Sequence, residues 1–142
     1  MTVIAWDGVT VAADRKSSGT GPDMIFNKIF RLDSGEVAAI FGNARNAYTL
    51  LEWKRGNLEE FPTDFSDEGK MLVFGNGYVS FYSTRSKGLA IPVLDEFMAW
   101  GTGADVAVGA LAAGADSVRA VEIACRYNSG CGLGLDSLKV SE

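Results

Sequence analysis

The chain has 142 residues, 47% hydrophobic and 22% charged, with 13 basic against 18 acidic side chains and a net charge of -5. That length predicts one domain with enough apolar residues for a core, and the acidic balance, with no basic cluster, argues against nucleic acid and membrane surfaces as partners. The chain has no histidine, which excludes Ser-His-Asp and Cys-His catalysis, His-ligated zinc and HExxH chemistry.

Thr2 follows Met1. Removal of Met1 would put a hydroxyl and a free α-amine on one residue, a nucleophile with its own base. An α-amine has a reference pKa of roughly 8, near enough to neutrality to take the hydroxyl proton. Without that processing, Thr2 only opens an edge strand.

Residues 3–6 and 9–13 are short apolar, β-branched runs around Asp7-Gly8, a hairpin signal. In a simple register about that turn, Met1 rather than Thr2 faces Asp14. Residues 17–22 read as a Gly/Ser-rich loop. The partial alternation of 25–32 predicts one strand with a polar face carrying Lys28. Residues 37–41 form a further strand ended by Gly42. Residues 44–55 have helical character, with Ala44, Ala47, Leu50 and Leu51 on one face. Residues 57–70 are acidic and irregular. A second hairpin, 71–74 with 78–82, turns at Gly75-Asn76-Gly77.

Residues 97–100 form a strand running into Gly101-Thr102-Gly103. Residues 104–113 make a small-residue helix, and Asp116 or Ser117 caps the next one, with Val118, Val121 and Cys125 on one face. Residues 135–140 form the last strand. Strands, helix, strands, two helices and a strand predict an α+β layered architecture with largely antiparallel sheets. Cys125 and Cys131, the only cysteines, have no metal-ligand spacing and fit a reduced, cytoplasmic protein. The N-terminus carries no signal-peptide pattern, and the apolar stretch 97–115 is broken by glycines and Asp105, so no membrane span is expected.

Six collinear segments carry a resemblance. Asp7-Gly8-Val9 with Ala12-Ala13-Asp14-Arg15, the stretch Asn27-Lys28-Ile29-Phe30-Arg31-Leu32, and Phe41-Gly42-Asn43-Ala44-Arg45-Asn46-Ala47 are the first three. Trp100-Gly101-Thr102-Gly103 with Ala107-Val108-Gly109-Ala110-Leu111, Ala115-Asp116-Ser117 with Ala120-Val121-Glu122, and Gly132-Leu133-Gly134-Leu135-Asp136 complete the set. In this order they resemble the proteasome β subunit and its bacterial relative HslV, N-terminal-nucleophile hydrolases. The resemblance implies a four-layer αββα sandwich and a single proteasome-subunit-like domain over 1–142. It also implies that the chain is short around 57–70, where the family carries a second long helix.

The resemblance implies a threonine peptidase as well. Thr2 would attack a peptide carbonyl, Lys28 would lower the cost of its deprotonation, and Asp14 would pair with Lys28. The Gly42 N–H would serve the oxyanion, and Asn128 stands where the family has an aspartate assisting the N-terminus. Read plainly, Asp14 and Lys28 make a structural ion pair and Gly42 a helix-entry turn. Cys131 stands in for a hydroxyl residue, and Ala104 for a serine that orients the threonine amine. The implied partners are a peptide or unfolded-protein substrate, copies of the chain in a homo-oligomeric ring, and a separate ATPase unfoldase, since this chain has no Walker loop. No metal or cofactor is implied. The alternatives are a non-catalytic subunit that keeps the fold for assembly, and a hydrolase of small amides.

Overall fold

The computed structural model describes residues 2–18 and 21–140. In chain order they form β1 (Val3–Trp6), β2 (Thr10–Asp14), β3 (Lys16–Ser17), β4 (Met24–Ile25), β5 (Ile29–Arg31), β6 (Val37–Gly42) and α1 (Ala44–Lys54). There follow β7 (Gly69–Gly75), β8 (Tyr78–Ser83), β9 (Ile91–Pro92), β10 (Met98–Gly101), α2 (Ala104–Ala112), α3 (Ser117–Tyr127) and β11 (Leu135–Lys139). The chain divides into two compact units. One comprises the residues up to Ile29 with Asp95–Lys139, and the other Phe30–Leu94 with Val140.

The first unit is built on an antiparallel sheet in the order β10-β1-β2-β11, with β3 and β4 as a small separate pair. Period-two alternation sends Val3, Ala5, Ala12 and Ala99 to one face. There they form a core with Ala107 and Leu111 of α2 and Ala120, Val121 and Ala124 of α3. The small residues let both helices approach the strands closely. In α3 the buried positions are Ser117, Ala120, Val121 and Ala124. Val118 and Cys125, expected to head that face, are only partly buried beside it.

The first hairpin differs from the expected register. Ile4 lies opposite Ala13 and Trp6 opposite Val11, so one further step brings Val3, not Met1, beside Asp14. The turn is shifted because Asp7 does not sit inside it. Asp7 Oδ1 accepts the Val9 and Thr10 N–H groups at 2.9 and 2.7 Å and fixes the turn beyond itself. The partner of each residue moves by two, so every side chain keeps its face, and the apolar pattern is the same in both registers. Met1 itself lies outside the described residues.

Residues 25–32 do not form one strand. β4 ends at Ile25, β5 begins at Ile29, and Lys28 sits in the break between them. The break turns Lys28 inward onto buried oxygen acceptors, where an unbroken strand would have left it on a polar face.

The second unit carries the sheet β5-β6-β7-β8-β9. β6, β7 and β8 form an antiparallel meander, Val37 opposite Phe74 and Gly75 opposite Tyr78. Ala47, Leu50 and Leu51 of α1 bury against Ala38, Ile40, Met71 and Val73. Fully burying one leucine side chain stabilises by roughly 1.5–3 kcal/mol. Ala44, expected on that face, is exposed. Asn43 caps the helix by accepting the Asn46 N–H at 3.0 Å. The irregular segment after α1 contributes Phe61, which packs edge-on against Trp53 at 4.9 Å between ring centroids.

Candidate functional site

Thr2, Asp14 and Lys28 meet at one end of the first unit's sheet. Their relative exposures are 8%, 0% and 6%, so water screens the charges of the pair little. Lys28 Nζ donates to Thr2 Oγ1 at 3.0 Å, to Asp14 Oδ1 at 2.8 Å and to the Lys16 carbonyl at 2.7 Å. The hydroxyl of Thr2 therefore reaches Lys28, because the shifted turn sets Val3, and not Met1, beside Asp14.

Asp14 is saturated. Its Oδ1 accepts from Val3 N and Lys28, and its Oδ2 from Lys16 N at 3.2 Å and Gly132 N at 3.1 Å. A carboxylate offers about four acceptor sites, so Asp14 has no vacancy for the Thr2 proton. It works as an anchor that joins β1, β3, the loop before β11 and Lys28. Burial lowers the Lys28 ammonium below its ordinary value, and the Asp14 hydrogen bond and charge oppose that shift.

The backbone of Thr2 is fixed by a segment that the sequence reading treated only as a turn. Thr2 N donates to Thr102 Oγ1 at 3.3 Å, and the Gly103 N–H donates to the Thr2 carbonyl at 3.2 Å. Gly101 has φ +95°, and a Cβ there would lie 2.2 Å from the Thr2 carbonyl oxygen. Only glycine fits between them. Thr102 is the residue that sequence reasoning missed, since a threonine between two glycines reads as a turn residue. Ala104, the first residue of α2, brings no hydroxyl; the one at Thr102, two positions earlier, accepts from Thr2 N.

Asn128 caps the end of α3. Its side-chain amide donates to the Thr102 carbonyl at 2.9 Å, and its oxygen accepts the Gly130 N–H at 2.8 Å. It reaches Thr2 through Thr102 and brings no charge. Cys131 is buried, its thiol 3.6 Å from the Asn128 carbonyl. Burial raises both the Cys131 and Cys125 thiols above their ordinary value, which keeps them protonated and poor nucleophiles. Gly42 belongs to the second unit. It ends β6 with φ +85°, and a Cβ there would lie 2.6 Å from the Glu68 carbonyl. Among the described residues no group of His, Cys, Asp and Glu could hold a metal ion.

Chemically, a buried hydroxyl lies against a buried ammonium whose counter-ion is already saturated. That arrangement orients the hydroxyl and stabilises negative charge developing on its oxygen.

No family model matches the chain, and no curated protein matches it. Solved structures do. The chain is similar to Thiobacillus denitrificans BPH in complex with epoxomicin, at 19% identity over 100% of both chains with a TM-score of 0.72. It is similar to eukaryotic HslV from Trypanosoma brucei, at 19% identity over 99% of each chain with a TM-score of 0.70. A second BPH structure gives 19% identity over 99% of this chain and 98% of that one, at 0.68. At such identities the likeness is one of fold: this chain has an α+β fold of the HslV type, with antiparallel sheets.

Proposed function

We propose that the chain is an N-terminal-threonine peptidase, with Thr2 as nucleophile once Met1 is removed. The observation that carries the reading is the 3.0 Å contact between the buried Lys28 ammonium and the Thr2 hydroxyl. In this reading the freed α-amine takes the Oγ1 proton, directly or through a water, as Oγ1 attacks a peptide carbonyl. Lys28 stabilises the developing oxyanion of the nucleophile, and Asp14 keeps Lys28 in place. Thr102 Oγ1 orients the amine, and Asn128 orients Thr102. Gly42 N–H serves the carbonyl oxyanion by analogy with the resembled family, and one such donor is worth roughly 3 kcal/mol. Residues 1–142 act in this reading as one proteasome-subunit-like domain. Copies assemble in a ring, take peptide or unfolded protein, and use a separate ATPase for unfolding.

The neutral Asn128 favours a second reading, a subunit that keeps the fold for assembly alone. Turnover of a fluorogenic peptide by the purified protein, with Thr2→Ala alongside, separates the two. The peptidase reading expects turnover that falls by at least about 10³-fold in Thr2→Ala. Equal background from both proteins would leave the assembly reading. Cleavage confined to small amides would move the assignment to an amidase using the same chemistry.

A further inference from the structure

The loop before β11 and the segment Asp14-Arg15-Lys16 hold each other by side chains that the proposed reaction does not use. Arg15 forms a fork on Asp136, with Nε donating to Oδ2 at 3.0 Å and Nη2 to Oδ1 at 2.5 Å. In the β2–β11 ladder Asp136 lies opposite Ala13 and Leu135 opposite Asp14. Arg15 and Asp136 are therefore diagonal neighbours on one face of the sheet, where long side chains can meet. The Arg15 side chain runs past Gly134, where a Cβ would come within 3.6 Å of Arg15 Cδ. Arg15 N–H also donates to the Gly132 and Gly134 carbonyls at 3.2 Å each.

Arg15 is flanked by two of the groups that accept from Lys28. Asp14 supplies Oδ1 and Lys16 supplies its carbonyl. Gly132, across the same loop, donates to Asp14 Oδ2. One peptide unit on either side of Arg15 therefore separates the fork from the residues whose oxygens keep Lys28 against Thr2. Planar bidentate geometry restrains the Arg15 backbone in a way a single point charge would not.

We infer that Asp136 is a positioning residue of the site: its fork with Arg15 sets the Lys16 carbonyl and Asp14 against Lys28, and thereby the contact of Lys28 with Thr2. The inference rests on the peptidase reading for its meaning, but its geometry can be tested without turnover. The ammonium form of Lys28 donates to the Lys16 carbonyl, so loss of that acceptor disfavours the charged form.

The experiment follows the Lys28 side-chain NMR signal through a pH titration in the unaltered protein, Asp136→Asn, Asp136→Glu and Arg15→Lys. Arg15→Lys keeps both charges and removes the fork, so it separates positioning from simple charge. Positioning expects the Lys28 midpoint to fall by about half a pH unit, a roughly threefold change in proton affinity, in both Asp136→Asn and Arg15→Lys. Asp136→Glu recovers part of the shift. An unmoved midpoint in Arg15→Lys, whatever Asp136→Asn does, overturns the inference. If the unaltered protein turns over peptide, kcat falls by about tenfold in both variants while KM holds. If it does not, the peptidase reading fails while the titration still decides the fork's role. The fork is partly solvent-exposed, with side-chain exposures of 39% and 27%. Arg15→Lys is therefore the variant expected to stay folded if Asp136→Asn does not.

Discussion

The candidate chemistry rests on one buried ion pair and one hydroxyl. Lys28 and Asp14 are 2.8 Å apart and almost wholly removed from water. Removing one partner of such a pair leaves an uncompensated charge, at a cost of about 3–5 kcal/mol. Lys28→Met should therefore lower the thermal midpoint clearly and abolish any reaction of Thr2. Its thermal melt and its reactivity check both. The pH dependence follows from the lowered Lys28 value. Between that value and 10.5 the unfolded chain binds more protons at this group than the folded one, so its contribution to stability rises with pH there. Denaturant melts across that window should show the rise in the native protein and a flatter profile in Lys28→Met. Gly101→Ala tests the backbone, since its Cβ would overlap the Thr2 carbonyl and its φ is left-handed. A variant that folds but has lost Thr2 reactivity is the expected result. Thr2 was legible in the sequence from its place behind Met1, and Asp14 and Lys28 from the resemblance that their segments carry. Thr102 was not, because one hydroxyl among many gives no signal until its distance to Thr2 N is known.

At the scale of elements, turn chemistry decides where Thr2 falls. The hairpin could pair about Asp7-Gly8 or two residues out of step, and hydrophobic alternation fits both. The carboxylate of Asp7 resolves the ambiguity by capping Val9 and Thr10 and by accepting the Ser117 N–H at 3.0 Å. One side chain thus fixes the β1–β2 turn and the start of α3. Its burial raises the Asp7 pKa, and the N–H donors of Thr10, Ser117 and Val9 outweigh that and leave it lowered. A lowered carboxylate stabilises the fold above its unfolded value of 3.8, and this contribution is lost as pH falls through the folded value. Asp7→Ala should cost roughly 2 kcal/mol at pH 7. The difference from the native protein should shrink as pH falls below 3.8 and through the lowered folded value, where the Asp7 carboxyl takes up its proton. Denaturant melts from pH 7 downward check this. Helix and strand types were legible from periodicity. The break at residues 26–28 was not, because three oxygens on other segments draw Lys28 out of the alternation. The β9 strand is two residues ending in Pro92, too short to leave a pattern.

At the scale of the whole molecule, the order of elements and the antiparallel sheets were readable from patterning alone. The resemblance then named the fold that the solved structures share. Tertiary detail was less readable: the segment after α1 has no periodicity of its own, and Phe61 finds its place against Trp53, which itself packs on Tyr82. Assembly belongs to the proposed reading. Sedimentation of the purified protein should give one species at a closed multiple of the protomer mass. A monomer at micromolar concentration would remove the ring from the account while leaving the chemistry of Thr2 intact.

The central claim is that Thr2 is a live N-terminal nucleophile. Intact mass, taken before and after treatment with a threonine-directed β-lactone, addresses it most directly, with Thr2→Ala as the companion. The account predicts a chain beginning at Thr2 that gains one adduct, and no adduct on Thr2→Ala. A chain that keeps Met1 and gains nothing would contradict it.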